Sequence, residues 1–211
     1  WLAGGAFLAS GIGGALSGKL PPARAVQLGV LLELVGVLGI GLVASQENGW
    51  VWIAPFLLIY GIGIGLATAQ LTGVIMVDVP MEKNGQGSGS QSTVRQVGSA
   101  LGIAVLGTVL FTGTQVSLEQ RLDELAVPVS QISIVTDAVV ESAGSAIPGL
   151  EAGLIANQVE PGLAADIRTA AGDAFTDGAK WSAWAAAGFL LLGFASTFNL
   201  GSRKEQEQTQ S

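Results

Sequence analysis

The chain has 211 residues, of which 49% are hydrophobic and 12% charged, and its mean hydropathy is +0.56. That is about half the charge share of an ordinary soluble domain, so lipid rather than water is the expected solvent for much of it. The absence of Cys and His excludes disulfides, thiolate chemistry, imidazole bases and the usual zinc ligand sets, and a net charge of −7 argues against a nucleic-acid partner, which selects basic surfaces.

Five apolar, glycine-rich blocks follow one another along the chain, at about 2–18, 26–45, 50–77, 94–112 and 181–200. Each is near the roughly 17–25 residues that a helix needs to cross a bilayer, and backbone groups in hydrocarbon must bond internally, so each reads as a helix. The first block has no basic segment before it and no obvious cleavage site, so it is not a signal peptide. A start at Trp1 instead of Met, with an odd number of spans, leads to the expectation that the chain is a piece of a longer one. Block 50–77 would measure ~42 Å as one straight helix, so tilt or a bend near Pro55 is expected to absorb the excess. Asn84 is an alternative start for block 94–112. Segment 113–180 is amphipathic and interrupted by Pro128, Pro148 and Pro161. It reads as an extracytoplasmic loop with short helices, one of them at Ser117–Leu125. Residues 201–211 form a polar tail.

Lys and Arg in short loops mark the cytoplasmic side. Lys19 and Arg24 lie in loop 18–25, Lys83 lies in connection 78–93 with Arg95 just beyond it, and Arg203 and Lys204 lie in the tail. The alternate connections have no base at 46–49 and a large excess of acids between Glu119 and Asp177. The N-terminus is therefore placed outside and the C-terminus in the cytoplasm. All five tryptophans (Trp1, Trp50, Trp52, Trp181 and Trp184) then fall at outer ends of blocks, the headgroup zone that indoles prefer.

Close helix packing in lipid needs small residues every fourth position. Gly61, Gly65, Ala69 and Gly73 supply such a ridge, as do Gly98 with Gly102 and Gly14 with Gly18. The strings Gly61-x-Gly63-x-Gly65 and Gly85-x-Gly87-x-Gly89 lack the strand and βαβ context of a dinucleotide fingerprint, so packing and backbone mobility account for them. Glu33 is the acid that lies well inside a span, about 12 Å from the start of its helix. It shares a face with Gly29 and Gly36, so it is expected to point into protein or a cavity. An intramembrane carboxylate is a candidate proton or cation site, and the other reading is a structural hydrogen bond to a neighbouring helix. Arg95 shares a face with Gly98 and Gly102 and is expected to turn inward towards a partner, with Asp78, Glu82 or Glu33 as candidates. Gln70 and Thr68 could bond a substrate or an adjacent helix.

Several strings resemble the fourteen-span drug:proton antiporter family of the major facilitator superfamily. They are Gly61-Ile-Gly-Ile-Gly-Leu66, Val79-Pro80, Gly85-Gln-Gly-Ser-Gly89, Ser92-Thr-Val-Arg-Gln-Val-Gly98 and Ala100-Leu-Gly-Ile-Ala104, similar to the twelfth and thirteenth spans and the connection between them. Ser17-Gly-Lys-Leu-Pro-Pro-Ala-Arg24 resembles the C-terminal copy of the superfamily's cytoplasmic loop motif, although shorter in arginine, and Asp173-Ala-Phe175 resembles the approach to the last span. The resemblance implies an all-α, polytopic transmembrane bundle, a partial C-terminal half of a major facilitator fold comprising spans ten to fourteen. It further implies proton-driven export of hydrophobic, often cationic, small molecules from a bacterial cytoplasmic membrane, with lipid and the missing N-terminal spans as partners. No cofactor, metal or enzymatic activity is expected. The pathway candidates are Glu33, Arg95, Gln70 and Asp78, and Lys19 and Arg24 are the loop-motif candidates. The alternatives are a permease for another small solute, or a non-transporting component whose outer segment binds a partner.

Overall fold

A computed structural model describes residues 4–5, 21–45, 50–76 and 79–198. The described chain is helical, with α1 at Pro22–Val43, α2 at Trp50–Met76, a 3₁₀ turn at Met81–Lys83, α3 at Asn84–Glu124, α4 at Val129–Glu141, α5 at Ile147–Ala156 and α6 at Pro161–Thr197. Three of these stretches are long and apolar enough to cross a membrane: Pro22–Val43, Val51–Met76 and Met81–Glu124. The block expected at 2–18 lies almost wholly outside the described residues, as do residues 199–200 of the block at 181–200. The span expected at 94–112 lies inside α3 and the one at 181–200 starts inside α6, so neither limit falls at a helix end.

The prolines explain the difference in the outer segment. Each of the three that interrupt its sequence starts a helix: Pro128 caps α4, Pro148 is the second residue of α5 and Pro161 is the first of α6. Proline lacks the N–H that a first turn leaves unbonded anyway, so these positions suit it. Glu160, just before Pro161, accepts a 2.9 Å bond from the Leu163 amide, an N-cap arrangement. The helices also end on a common device. Ala126, Ala143 and Gln158 adopt positive φ of 56°, 50° and 64°, and the next residue's amide returns to a carbonyl five positions back, Val127 to Leu122, Gly144 to Val139 and Val159 to Leu154. This is the Schellman closure, in which a left-handed residue satisfies the last carbonyls of a helix. The separate short helix expected at Ser117–Leu125 is instead the end of α3, which runs to Glu124.

The described residues fall into two compact units. One takes those within Trp1–Val43, Trp50–Ile103 and Trp184–Ser211. Its main packing joins α1 to α2, and within it the Gln27 side-chain amide donates to the Thr197 carbonyl at 3.4 Å. The other takes those within Ala44–Gly49 and Ala104–Ala183. Its core is aliphatic, with Leu118 and Leu122 from α3, Val135 and Val139 from α4, and Ile167, Ala171 and Ala174 from α6, edged by Ile147, Leu150 and Leu154 around α5. On α6 the buried residues Ala164, Ile167, Ala171, Ala174 and Gly178 recur at three- and four-residue steps, the period of one helical face.

Candidate functional site

Glu33 sits on the seam between α1 and α2. Gly29, Glu33 and Gly36 are spaced four and three residues apart, so they share one face of α1, and that face meets Phe56, Tyr60, Gly63 and Ala67 of α2, spaced by the same rule. The helices touch backbone to backbone. A Cβ added at Gly63 would lie 2.6 Å from the Glu33 amide nitrogen, 2.6 Å from the Gly29 carbonyl oxygen and 2.9 Å from Glu33 Cγ. One added at Gly29 would lie 2.7 Å from the Ala67 amide nitrogen, and one at Gly36 would lie 2.8 Å from that of Tyr60. Gly39 is covered by the Phe56 ring. Glu33 is therefore held half-buried against a glycine that leaves room for its stem, with Tyr60 close enough to interact with it electrostatically. Among the described residues, no hydrogen bond or ion pair reaches its carboxylate.

The other expected residues are placed more loosely. Gln70 is half-buried and Thr68 exposed on α2. Arg95 is exposed and flanks an open groove of about 530 Å³ between α2 and α3, lined by Leu71, Ile75, Gly87, Ser90, Gln91 and Val94. Gln91 crosses beside that groove to donate to the Thr72 hydroxyl at 3.2 Å. The inward turn expected of Arg95 is not what the structure shows: the guanidinium has no hydrogen bond or ion pair among the described residues, and Glu33 lies on the α1–α2 seam instead, while the expected partner Asp78 is outside those residues. Asp78 and Lys19 lie outside the described residues. Arg24 is exposed at the start of α1, where its amide donates to the Pro21 carbonyl at 2.9 Å.

The glycine ridge divides between two faces. Gly61 and Gly63 are two residues apart, about 200° around a helix, so they look in opposite directions. Gly63 faces α1, whereas the Gly61 Cα would lie 3.3 Å from a Cβ on Gly5. Gly65 is half-buried. At Gly73, Gly98 and Gly102 an added Cβ would meet nothing within 4 Å among the described residues, so the neighbours expected there are not among them. Gly14 and Gly18 are outside the described residues. The contact that sequence reasoning missed is Gly63 with Gly29 and Glu33. Its signal was available in the spacing Phe56, Tyr60, Gly63, Ala67, which matches that of Gly29, Glu33 and Gly36.

A second polar arrangement, in the other unit, had no sequence signal. Asp177 Oδ2 accepts from the Ser117 hydroxyl at 3.0 Å and from Arg121 Nη2 at 2.9 Å, and Arg121 Nη1 lies 3.6 Å from Asp173 Oδ2. Arg168 pairs with Glu151 at 3.1 Å. The close approach of Gly113 to Gly178, whose Cα would be 3.2 Å from a Cβ on Gly113, brings α3 and α6 together beside this cluster. Ser182 donates to the Leu106 carbonyl at 3.1 Å across the same pair of helices.

Long apolar helices joined by glycine contacts, with an acid on the seam, define a polytopic integral membrane protein. Residues 1–103 match the sequence model of the Major Facilitator Superfamily. It is 29% identical over 130 residues to multidrug resistance protein Stp of Mycobacterium tuberculosis, an alignment covering 62% of this chain and 24% of that protein. It is 30% identical over 110 residues to a probable actinorhodin transporter of Streptomyces coelicolor, covering 51% and 18% respectively. It is 27% identical over 105 residues to multidrug resistance protein 3 of Bacillus subtilis, covering 50% and 20%. The matched stretch thus spans a quarter or less of the length of these relatives. No solved structure matches the chain significantly.

Proposed function

We propose that this chain is the C-terminal part of a secondary active transporter that exports hydrophobic or cationic drugs by alternating access, driven by protons. The family match and the relatives named for multidrug resistance and actinorhodin transport support the class and the cargo. Bases in the loops before α1 and α3 support a cytoplasmic position for those two loops, with segment 113–180 outside. On this reading residues 1–112 supply four spans, 113–180 an extracytoplasmic insertion, 181–200 the last span and 201–211 a cytoplasmic tail. The membrane is the bacterial cytoplasmic one, and the remaining spans of the transporter are partners of this part.

The observation that carries proton coupling is the placement of Glu33. It lies within a span long enough to cross the bilayer, on the seam between two helices, with no bonded partner among the described residues. Ionisable groups so placed mark ion and proton pathways, and transporter sites sit where helices meet near the midplane. Gln70, Arg95 and Asp78 are proposed along the same pathway, nearer the cytoplasmic end, and Lys19 and Arg24 on the cytoplasmic loop. In the whole protein, Glu33→Gln keeps the side chain's shape and removes its titration. Efflux driven by an imposed pH gradient in proteoliposomes should then be lost, while substrate binding at fixed pH persists. Transport that keeps its dependence on the gradient would return Glu33 to a packing role.

A further inference from the structure

We propose that the groove between α2 and the first turns of α3 binds the phosphate headgroup of an anionic phospholipid. The groove measures about 530 Å³ and lies where the chain changes from polar to apolar. Residues 84–93 are all polar or glycine, and Val94 opens the apolar stretch of α3, while Leu71 and Ile75 stand in the last two turns of α2 before its end at Met76. Gly87 closes the polar end, where an added Cβ would lie 3.1 Å from Val79 Cγ1 and 3.2 Å from Met76 Sδ. On the proposed topology this level is the cytoplasmic headgroup zone, in which an arginine lays its stem on apolar surface and keeps its charge among the headgroups.

Charge and hydrogen-bonding capacity identify the occupant. Gly87, Gln91, Val94 and Arg95 recur at helical steps and share one face of α3, which lines the groove together with Leu71 and Ile75 of α2. Leu71, Ile75 and Val94 are exposed and form an apolar wall that suits acyl chains. The polar groups beside it are donors. The Arg95 guanidinium and the Ser90 hydroxyl have no hydrogen bond or ion pair among the described residues, and Gln91 donates one N–H to Thr72 while its amide carries a second. Among the described residues no acid lines the groove. A guanidinium matches a phosphate through parallel N–H bonds, and its one positive charge complements the one negative charge of a phosphodiester such as that of phosphatidylglycerol. A zwitterionic lipid would bring an ammonium group that finds no carboxylate in the groove. Free phosphate would leave the apolar wall uncovered.

The inference goes beyond the transport reading, since it asks Arg95 to carry neither protons nor cargo, and only the choice of leaflet rests on the proposed topology. The test is photolabelling of the whole protein in phosphatidylcholine nanodiscs by a phosphatidylglycerol with a diazirine on its acyl chain close to the glycerol. Labelled peptides are mapped by mass spectrometry. Label should fall within 71–75 and 87–95 and be competed by unlabelled phosphatidylglycerol but not by inorganic phosphate. Arg95→Gln should weaken it by about fivefold, the effect of one basic charge at an anionic surface. Val94→Trp, at an exposed position, fills the groove while leaving the guanidinium in place, and it should abolish the label. The proposal is overturned by equal labelling with a phosphatidylcholine diazirine, by displacement with inorganic phosphate, by label confined to other segments, or by label indifferent to both substitutions. Both leaflets of a nanodisc carry the probe and no proton gradient is applied. A reversed topology, or a Glu33→Gln protein that still follows the gradient, therefore leaves the label in place, and the two readings fail separately.

Discussion

Between α1 and α2, backbone meets backbone. Gly29, Gly36 and Gly63 have no space for a methyl group, and the carboxylate on the seam, that of Glu33, has no bonded partner among the described residues. In the second unit, side chains fill the centre, with Leu118 and Leu122 fully buried, and two arginines at its surface are paired, Arg121 with Asp177 and Arg168 with Glu151. On the proposed topology, with α1 and α2 in lipid and segment 113–180 in water, the contrast follows from the solvent. Lipid tails are as apolar as leucine, so helices there gain little by burying large side chains and associate through close van der Waals contact. In water, removing leucine and isoleucine from solvent supplies the driving force, about 1.5–3 kcal/mol for each fully buried side chain. One chain thus contains two rules of packing.

The largest expected effect is at the tightest contact. Gly63→Leu places a side chain where the Glu33 amide and Gly29 carbonyl already stand, and no rotamer change relieves a collision with backbone. The α1–α2 pair should separate, seen as loss of monodisperse protein on size exclusion in detergent. Gly73→Leu on the same helix, where an added Cβ meets nothing within 4 Å among the described residues, is the control. Equal damage from both would mean that Gly73 also meets a neighbour, among residues 6–20 or in the remaining spans. The second unit should answer to the opposite change: Leu122→Ala leaves a cavity in its core and should cost about 2–5 kcal/mol, read as a lower midpoint for loss of helical signal. A small effect there would show that the bundle's stability does not reside in its aliphatic core.

The two rules also decide what was legible from sequence. Membrane blocks, the glycine spacing and the face shared by Gly29, Glu33 and Gly36 all follow from periodicity along one helix, and the structure places those three residues together. Arg95 was assigned a buried partner because it shares a face with Gly98 and Gly102, but helix periodicity says which residues share a face and not which face is covered. The link from Arg121 to Asp177 spans 56 residues, and nothing local announces it. The outer prolines misled for a different reason. Proline forbids a helix interior but favours a first turn, so Pro128, Pro148 and Pro161 mark where helices begin as readily as where they break.

A smaller effect is expected at the helix ends of the second unit. Ala126 is exposed and adopts a φ of 56°, a left-handed conformation that disfavours a Cβ. Ala126→Gly should therefore stabilise the bundle by about 0.5–1 kcal/mol, the strain relief outweighing the added chain entropy of glycine. In the α1–α2 hairpin, where glycine serves close approach, the reverse substitution of Gly36→Ala should destabilise. A stabilising Gly36→Ala would erase the distinction between glycine used for conformation and glycine used for contact.

The smallest effect is electrostatic. Backbone amides of Leu163 and Gly162 donate to the Glu160 carboxylate and hold its pKa below the ordinary 4.5, an interaction that a helix N-terminus favours because its dipole is positive there. The carboxylate binds its proton more weakly in the folded bundle than in the unfolded chain, so the folded state gains stability above about 4.5 and loses it as pH falls through the lowered value. Glu160→Gln keeps an oxygen that can accept the Leu163 amide and removes the charge. The variant should be slightly less stable than the parent at pH 7, and the gap should close as the buffer approaches pH 3. Since Glu160 is fully exposed, added salt should shrink the gap at pH 7. A gap that persists unchanged at low pH would mean that Glu160 acts through its shape at the cap and not through its charge.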